Sequence, residues 1–332
     1  MRTSQDGFSL AELMISMAIM LLIAGGATTA LLKMTSAQAT IWNRTQMHSG
    51  IRGATEVLQQ EVGQAGRVAL PASVTLTNAI AAGSTTAQTV TVSSTAGMFL
   101  GENLVIDAGC FDTANPCTSR QETVALTATP TSTQITAVFA NPHAAGVPIQ
   151  VRGVFATGVV PPLASPSAYA PSGATFTYAN GSTGSVLKLY GDINADGNMV
   201  YIEYSCVIPA VAGGVQSPGN LYRNAMAWNA ASSAAPAASQ ILLSNIMPNP
   251  DGSPCFTYQT QVVSGVYYVT DVAITLTAQT QLIDPVTKQF QTETKALLNV
   301  SPRNVFNAWT LASLGVANRI QPMPPPVTIL LQ

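Results

Sequence analysis

Glu12 is a carboxylate at the head of an apolar run. From Leu13 to Leu32 every side chain is apolar or small, about the twenty residues an α-helix needs to cross a hydrocarbon core. A charge at the centre of such a helix costs roughly 2.5 to 3.5 kcal/mol, and a position near one end lowers that cost without removing it. The chemistry open to Glu12 is therefore charge pairing, with a cation brought close in a low-dielectric bundle.

A second group lies in DINADGNMVYIE, where Asp192, Asn194 and Asp196 alternate, Gly197 allows a sharp turn, and Glu203 follows seven residues after Asp196. Alternating oxygen ligands around a glycine turn form the calcium-loop pattern, so calcium is the cofactor this stretch suggests. The flanks LKLY and VYIEY read as strands, however, and the same residues also suit a hairpin loop whose Asp and Asn side chains cap turns. Four cysteines, Cys110, Cys117, Cys206 and Cys255, all follow the apolar run, as disulfides in an exported segment would. Three pairings are open; the turn signal Asn115-Pro116 inside CFDTANPC favours Cys110 with Cys117, leaving Cys206 with Cys255. The two histidines, His48 and His143, have no ligand cluster beside them in sequence, and His143 reads as a turn residue.

These groups need elements to hold them. Past Leu32 the helical period persists: Ile41, Met47, Ile51, Ala54, Leu58, Val62 and Ala65 recur at mostly three- and four-residue steps. Arg44, Arg52, Glu56 and Gln60 fall on other faces, and Gly66 and Pro71 end the helix. Residues 86–152 alternate β-formers with turn residues in short strands, and resemble a small β module found in phage and surface proteins. From Val186 a second β region runs to SPRN, with Asp284-Pro285 turning a long hairpin that carries Val272, Ile274 and Leu276 inward. The tail, 320–332, contains QPMPPPVTILLQ, whose prolines predict an extended segment suited to a sheet edge or a partner.

The amino terminus reads in three ways. A secretory signal would use Arg2 as its charged region and cleave within Ala24 to Ala30, but it leaves Asp6 and Glu12 unexplained; a plain anchor leaves Glu12 idle. Cleavage between Gly7 and Phe8 makes Glu12 the fifth residue of a new chain. Gly7, Phe8 and Glu12 together resemble the prepilin signature of type IV pilins and pseudopilins. That resemblance implies cutting by prepilin peptidase after Gly7, N-methylation at Phe8, and pairing of Glu12 with the amino terminus of a neighbouring subunit. LQQEVGQAGRVAL, and the later order of LYRNA and SPRN, are similar to PilW-like minor pilins and the related J-type pseudopilins.

The expected architecture is α+β: a long N-terminal hydrophobic pilin helix followed by an antiparallel β-sheet head, with an inserted small β module. Its parts are a leader (1–7), a membrane and assembly segment (8–32), an amphipathic continuation (33–70), the module (86–152), the head (153–319) and the tail (320–332). Only 8% of the 332 residues are charged and the net charge is −2, which offers no basic track for nucleic acid. No GxSxG, HExxH or phosphate-loop motif occurs, leaving a carboxylate-only hydrolase as the enzymatic alternative. The resemblance implies a minor pilin acting in filament assembly at or near the tip. Its alternatives are a type II secretion pseudopilin or a tip adhesin binding through the module. Expected partners are prepilin peptidase, other minor and major pilins, and the inner membrane before assembly. The head would then be periplasmic, and the assembled subunit would lie in an extracellular pilus or a periplasmic pseudopilus.

Overall fold

The structure is a computed structural model and describes residues 9–81, 83–109, 121–162, 168–169, 176–177, 180–233, 236–316 and 318–331. It is α+β. Helix α1 (Leu10–Gln64) is unbroken because no proline interrupts it, and its most apolar 18-residue window has a mean hydropathy of 2.0. No residue of that window is buried, whereas Met47, Ile51, Ala54, Leu58 and Val62 farther along are all covered. One half of the helix is thus bare and the other is built into the head. Burying such side chains stabilises the docking by about 1.5 to 3 kcal/mol for each large one. Ile41, expected on the buried face, is instead 64% exposed, because the head meets this level of the helix through Thr40 and Asn43.

After α1 come β1 (Val74–Thr75), β2 (Gln88–Thr91), β3 (Asn103–Ile106), β4 (Glu122–Ala125), β5 (Gln134–Ala137) and β6 (Pro148–Val151). They form a four-stranded sheet, β1-β6-β3-β4, and the pair β2-β5 around a separate core that includes Leu76, Leu104, Ile106, Leu126 and Phe139. Val74 and Thr75 of β1 join this sheet by pairing with Ile149 and Pro148 of β6. The short strands β7 (Val154–Phe155), β8 (Ala168–Tyr169) and β9 (Phe176–Thr177) lead into the main sheet.

That sheet contains β10 (Val186–Gly191), β11 (Val200–Val207), β12 (Gly219–Ala227), β13 (Ile241–Met247), β14 (Phe256–Val263), β15 (Val266–Gln279) and β16 (Thr292–Val300). The order is β10-β11-β12-β13-β15-β14, with β16 also on β15, and all pairings are antiparallel. Val272, Ile274 and Leu276 alternate inward on β15 and are fully buried against the helix face. Helix α2 (Arg303–Ser313) packs into the same core through Val305 and Ala308.

The tail departs from the extended reading. β17 (Ile320–Gln321) pairs in parallel with β7, and Pro325 then occupies the first turn of α3 (Pro325–Leu330). Proline suits that position because its missing N–H is not needed there. Val327, Leu330 and Leu331 are buried with Phe99, Phe155 and Tyr190 in a third core. Gln321 secures the tail further, donating to the Asn103 and Arg152 carbonyls at 2.8 Å each and accepting from the Asn103 N–H at 2.8 Å.

Candidate assembly site and candidate metal loop

Gly7 and Phe8 lie outside the described residues; the site begins at Ser9, the N-cap of α1. Its hydroxyl accepts from the Glu12 N–H at 3.2 Å, and the Glu12 carboxylate accepts from the Ser9 N–H at 3.0 Å. This is a capping box, which satisfies two helix-end donors at once and sets a negative charge against the positive end of the helix dipole. The Ser-x-x-Glu spacing that forms it is present in the sequence at Ser9 and Glu12. Glu12 therefore has a local partner as well as the intersubunit role implied by the resemblance.

The head end of α1 is fixed by a carboxylate that sequence spacing did not reveal. Glu61 accepts from Arg223 on β12, with Nε at 3.0 and 3.1 Å from its two oxygens and Nη2 at 2.5 Å, and it accepts from the Tyr204 hydroxyl on β11. Burial, then the neighbouring Glu61 charge, pushes the Tyr204 phenol well above its ordinary range, so it stays a donor. Beyond it the chain turns through Gly66, whose φ of +84° suits glycine, and passes against Gly158. A Cβ on Gly158 would lie 2.1 Å from the Gly66 Cα, a separation no side chain allows.

The 192–199 loop joins β10 to β11. Asp192 is fully buried, and its Oδ1 accepts from the N–H groups of Asp196 at 3.0 Å and Gly197 at 3.2 Å. Its Oδ2 lies 3.3 Å from Arg67 Nε. Asp196 caps the next turn by accepting from the Asn198 N–H at 2.8 Å, while Asn194 is exposed. Glu203 does not join them. The β10-β11 register sets it opposite Lys188, 3.4 Å from Nζ, and it also accepts from the Tyr201 and Ser233 hydroxyls. Among the described residues no three His, Cys, Asp or Glu side chains form a metal-binding group. The buried carboxylate of Asp192 thus has Arg67 as its cationic neighbour, and that of Glu203 has Lys188.

Cys206 on β11 and Cys255 just before β14 are joined, with their Cα atoms 6.5 Å apart; Cys110 and Cys117 lie outside the described residues. His143, which reads as a turn residue in the sequence, forms an isolated bridge with Ile80. Its side chain is fully buried, with Nε2 2.7 Å from Glu122 Oε1 and Nδ1 4.0 Å from Asp107 Oδ2, in the core of the small unit. Glu122 also accepts from the Ala140 N–H at 2.9 Å, which ties β4 to the segment before the histidine. His48 pairs instead with Glu293 on β16.

Residues 2–28 match the family model described as the prokaryotic N-terminal methylation motif. No curated protein matches the chain. Together with the long apolar helix, the motif supports a type IV pilin-like protein in this part of the sequence. A pilin motif of this kind suggests a structural subunit rather than an enzyme.

Proposed function

We propose that this chain is a PilW-like minor pilin of a type IV pilus. It enters the inner membrane through residues 8–32 with its head in the periplasm. Prepilin peptidase then removes residues 1–7, Phe8 is methylated, and the subunit is drawn among other pilins. The observation that carries this reading is the methylation motif at 2–28 joined to one continuous helix, Leu10–Gln64, that is bare at its start and packed at its end. Leu13, Met14, Met20, Leu21 and Leu22 are each at least half exposed. Such a stripe is unstable in water, so lipid covers it first and neighbouring helices cover it afterwards. The bulk of a head with two β units supports a place at or near the tip, since it packs poorly in a repeating shaft.

Mass spectrometry of the mature amino terminus, combined with Glu12 variants, tests the proposal. The expected mature chain begins at N-methylated Phe8. Glu12→Gln keeps the capping-box acceptor and removes only the charge, whereas Glu12→Ala removes both. If charge pairing drives assembly, both variants insert into the membrane and both fall out of sheared filaments. Normal incorporation of Glu12→Gln would restrict Glu12 to capping, and a mature terminus near Ala30 would overturn the reading.

A further inference from the structure

We propose that the tip of the β15-β16 hairpin, together with the adjoining level of α1, is a membrane-contact surface that rests in the lipid headgroup layer before assembly. This inference rests on the reading that residues 13–32 span the bilayer. The hairpin descends along the helix toward that segment. Asn299 and Val300 lie beside Gln59, Gln60 and Gly63, Glu293 pairs with His48, and Gln291 accepts from Arg44. The loop between the strands reaches Thr40, whose hydroxyl helps to hold Asp284 below the usual carboxylate range after the larger effect of the Thr287 N–H.

Four apolar side chains of this loop are left uncovered: Leu282 at 63%, Ile283 at 52%, Val286 at 66% and Phe290 at 46%. On the helix, Ile41 and Trp42 are 64% and 72% exposed at the same height. Trp42 is turned away from the head, since Asn43 and Met47 face it. Apolar groups therefore lie on opposite sides of the molecule in one plane across the helix axis. A protein docked on one side would cover only part of that set, whereas a lipid surface covers all of it.

The height fits. Thr40 is eight residues past Leu32, about 12 Å along the axis. A headgroup layer on one side of a bilayer fills roughly 5 to 7 Å of that distance, and the uncovered loop side chains extend across the remainder, about 5 to 7 Å. Charge agrees as well. Arg44 and Lys288 are the exposed charged side chains of this band, with Lys33 nearer the span, while Asp284 is turned in and accepts from the Val286 and Thr287 N–H groups at 2.7 and 2.9 Å. Tryptophan and basic residues at one level are the composition of an interfacial belt beside lipid phosphates.

The test uses the full chain in phosphatidylcholine vesicles that contain lipid brominated near the headgroup or near the chain end, with tryptophan emission as the probe. Trp228→Phe with Trp309→Phe leaves Trp42 as reporter. Adding Trp42→Phe and Val286→Trp moves the reporter to the hairpin, and Trp42→Phe with Leu22→Trp places it in the span. The expected result is loss of emission at 42 and 286 with headgroup-side bromine, and at 22 with chain-end bromine. Quenching at 22 without quenching at 286 overturns the hairpin contact and leaves the span intact. No quenching at 22 overturns the membrane reading and the inference with it. Each variant is compared by near-ultraviolet dichroism, so that a misfolded head is recognised and replaced by Ile283→Trp as the hairpin reporter.

Discussion

Replacing Glu61 by alanine should loosen the helix from its head more than any exposed substitution along α1. Breaking a buried ion pair by removing one partner costs about 3 to 5 kcal/mol, because the remaining charge is left in a poor solvent. Here the Arg223 side chain keeps 28% of its surface and Glu61 keeps 12%, so water recovers part of that loss and about 2 to 3 kcal/mol remains. The Tyr204 hydroxyl also loses its acceptor, which adds about 1 kcal/mol. The sum, about 3 to 4 kcal/mol, should lower the melting temperature of the full chain in detergent by roughly 10 °C. Glu61→Gln keeps one acceptor and should lose less. A combined Glu61→Leu, Arg223→Leu and Tyr204→Phe chain should recover most of the stability, since no polar group is then stranded. A loss under about 1 kcal/mol for Glu61→Ala would show that the hydrophobic face alone sets the docking.

The Cys206–Cys255 bridge closes a separation of 49 residues, and Cys206→Ser with Cys255→Ser should cost about 4 kcal/mol in chemical denaturation. Glu102 is fully buried, and desolvation pushes its carboxyl well above the ordinary range, partly offset by the Phe99 N–H. Its folded form therefore holds a proton that the unfolded chain releases near pH 4.5, so this contribution is whole below that pH and fades as pH rises toward the folded value. Glu102→Gln should flatten that decline, as seen in melts across pH 5 to 8; an unchanged slope would refute the assignment. Melting curves with calcium and with chelator should coincide, while Asp192→Ala should destabilise by about 2 kcal/mol through its lost turn caps. A calcium-induced rise that Asp192→Ala abolishes would restore the cation reading.

Local pattern carried the helix and the long hairpin. Period marks Met47, Leu58 and Val62 as buried, and alternation marks Val272, Ile274 and Leu276, because each pattern needs only neighbours within one element. Ile41 failed because a period says which residues share a face and not how far the head extends along it. Glu61 and Arg223 are 162 positions apart, and His143 meets Glu122 across 21; neither pair has a sequence signal, since only the packing of α1 on the sheet and the folding of the small unit bring them together. Spacing put Glu203 within reach of Asp192, but the ladder assigned it to Lys188. The capping box, by contrast, is legible in the Ser9-x-x-Glu12 spacing.

The small β unit leaves and re-enters the head at nearly one point. Arg67, before it, bridges to Val154, after it, and the Phe155 N–H donates to the Gly66 carbonyl at 2.8 Å. Closing a longer segment between two such points costs the fold little, about 0.6 kcal/mol for each doubling of its length. The head can therefore gain, lose or exchange what lies between these residues without rerouting any strand of its main sheet. Diversification of this protein has a natural seam there: the helix that assembles and the sheet that holds it can stay fixed while descendants change the surface they display.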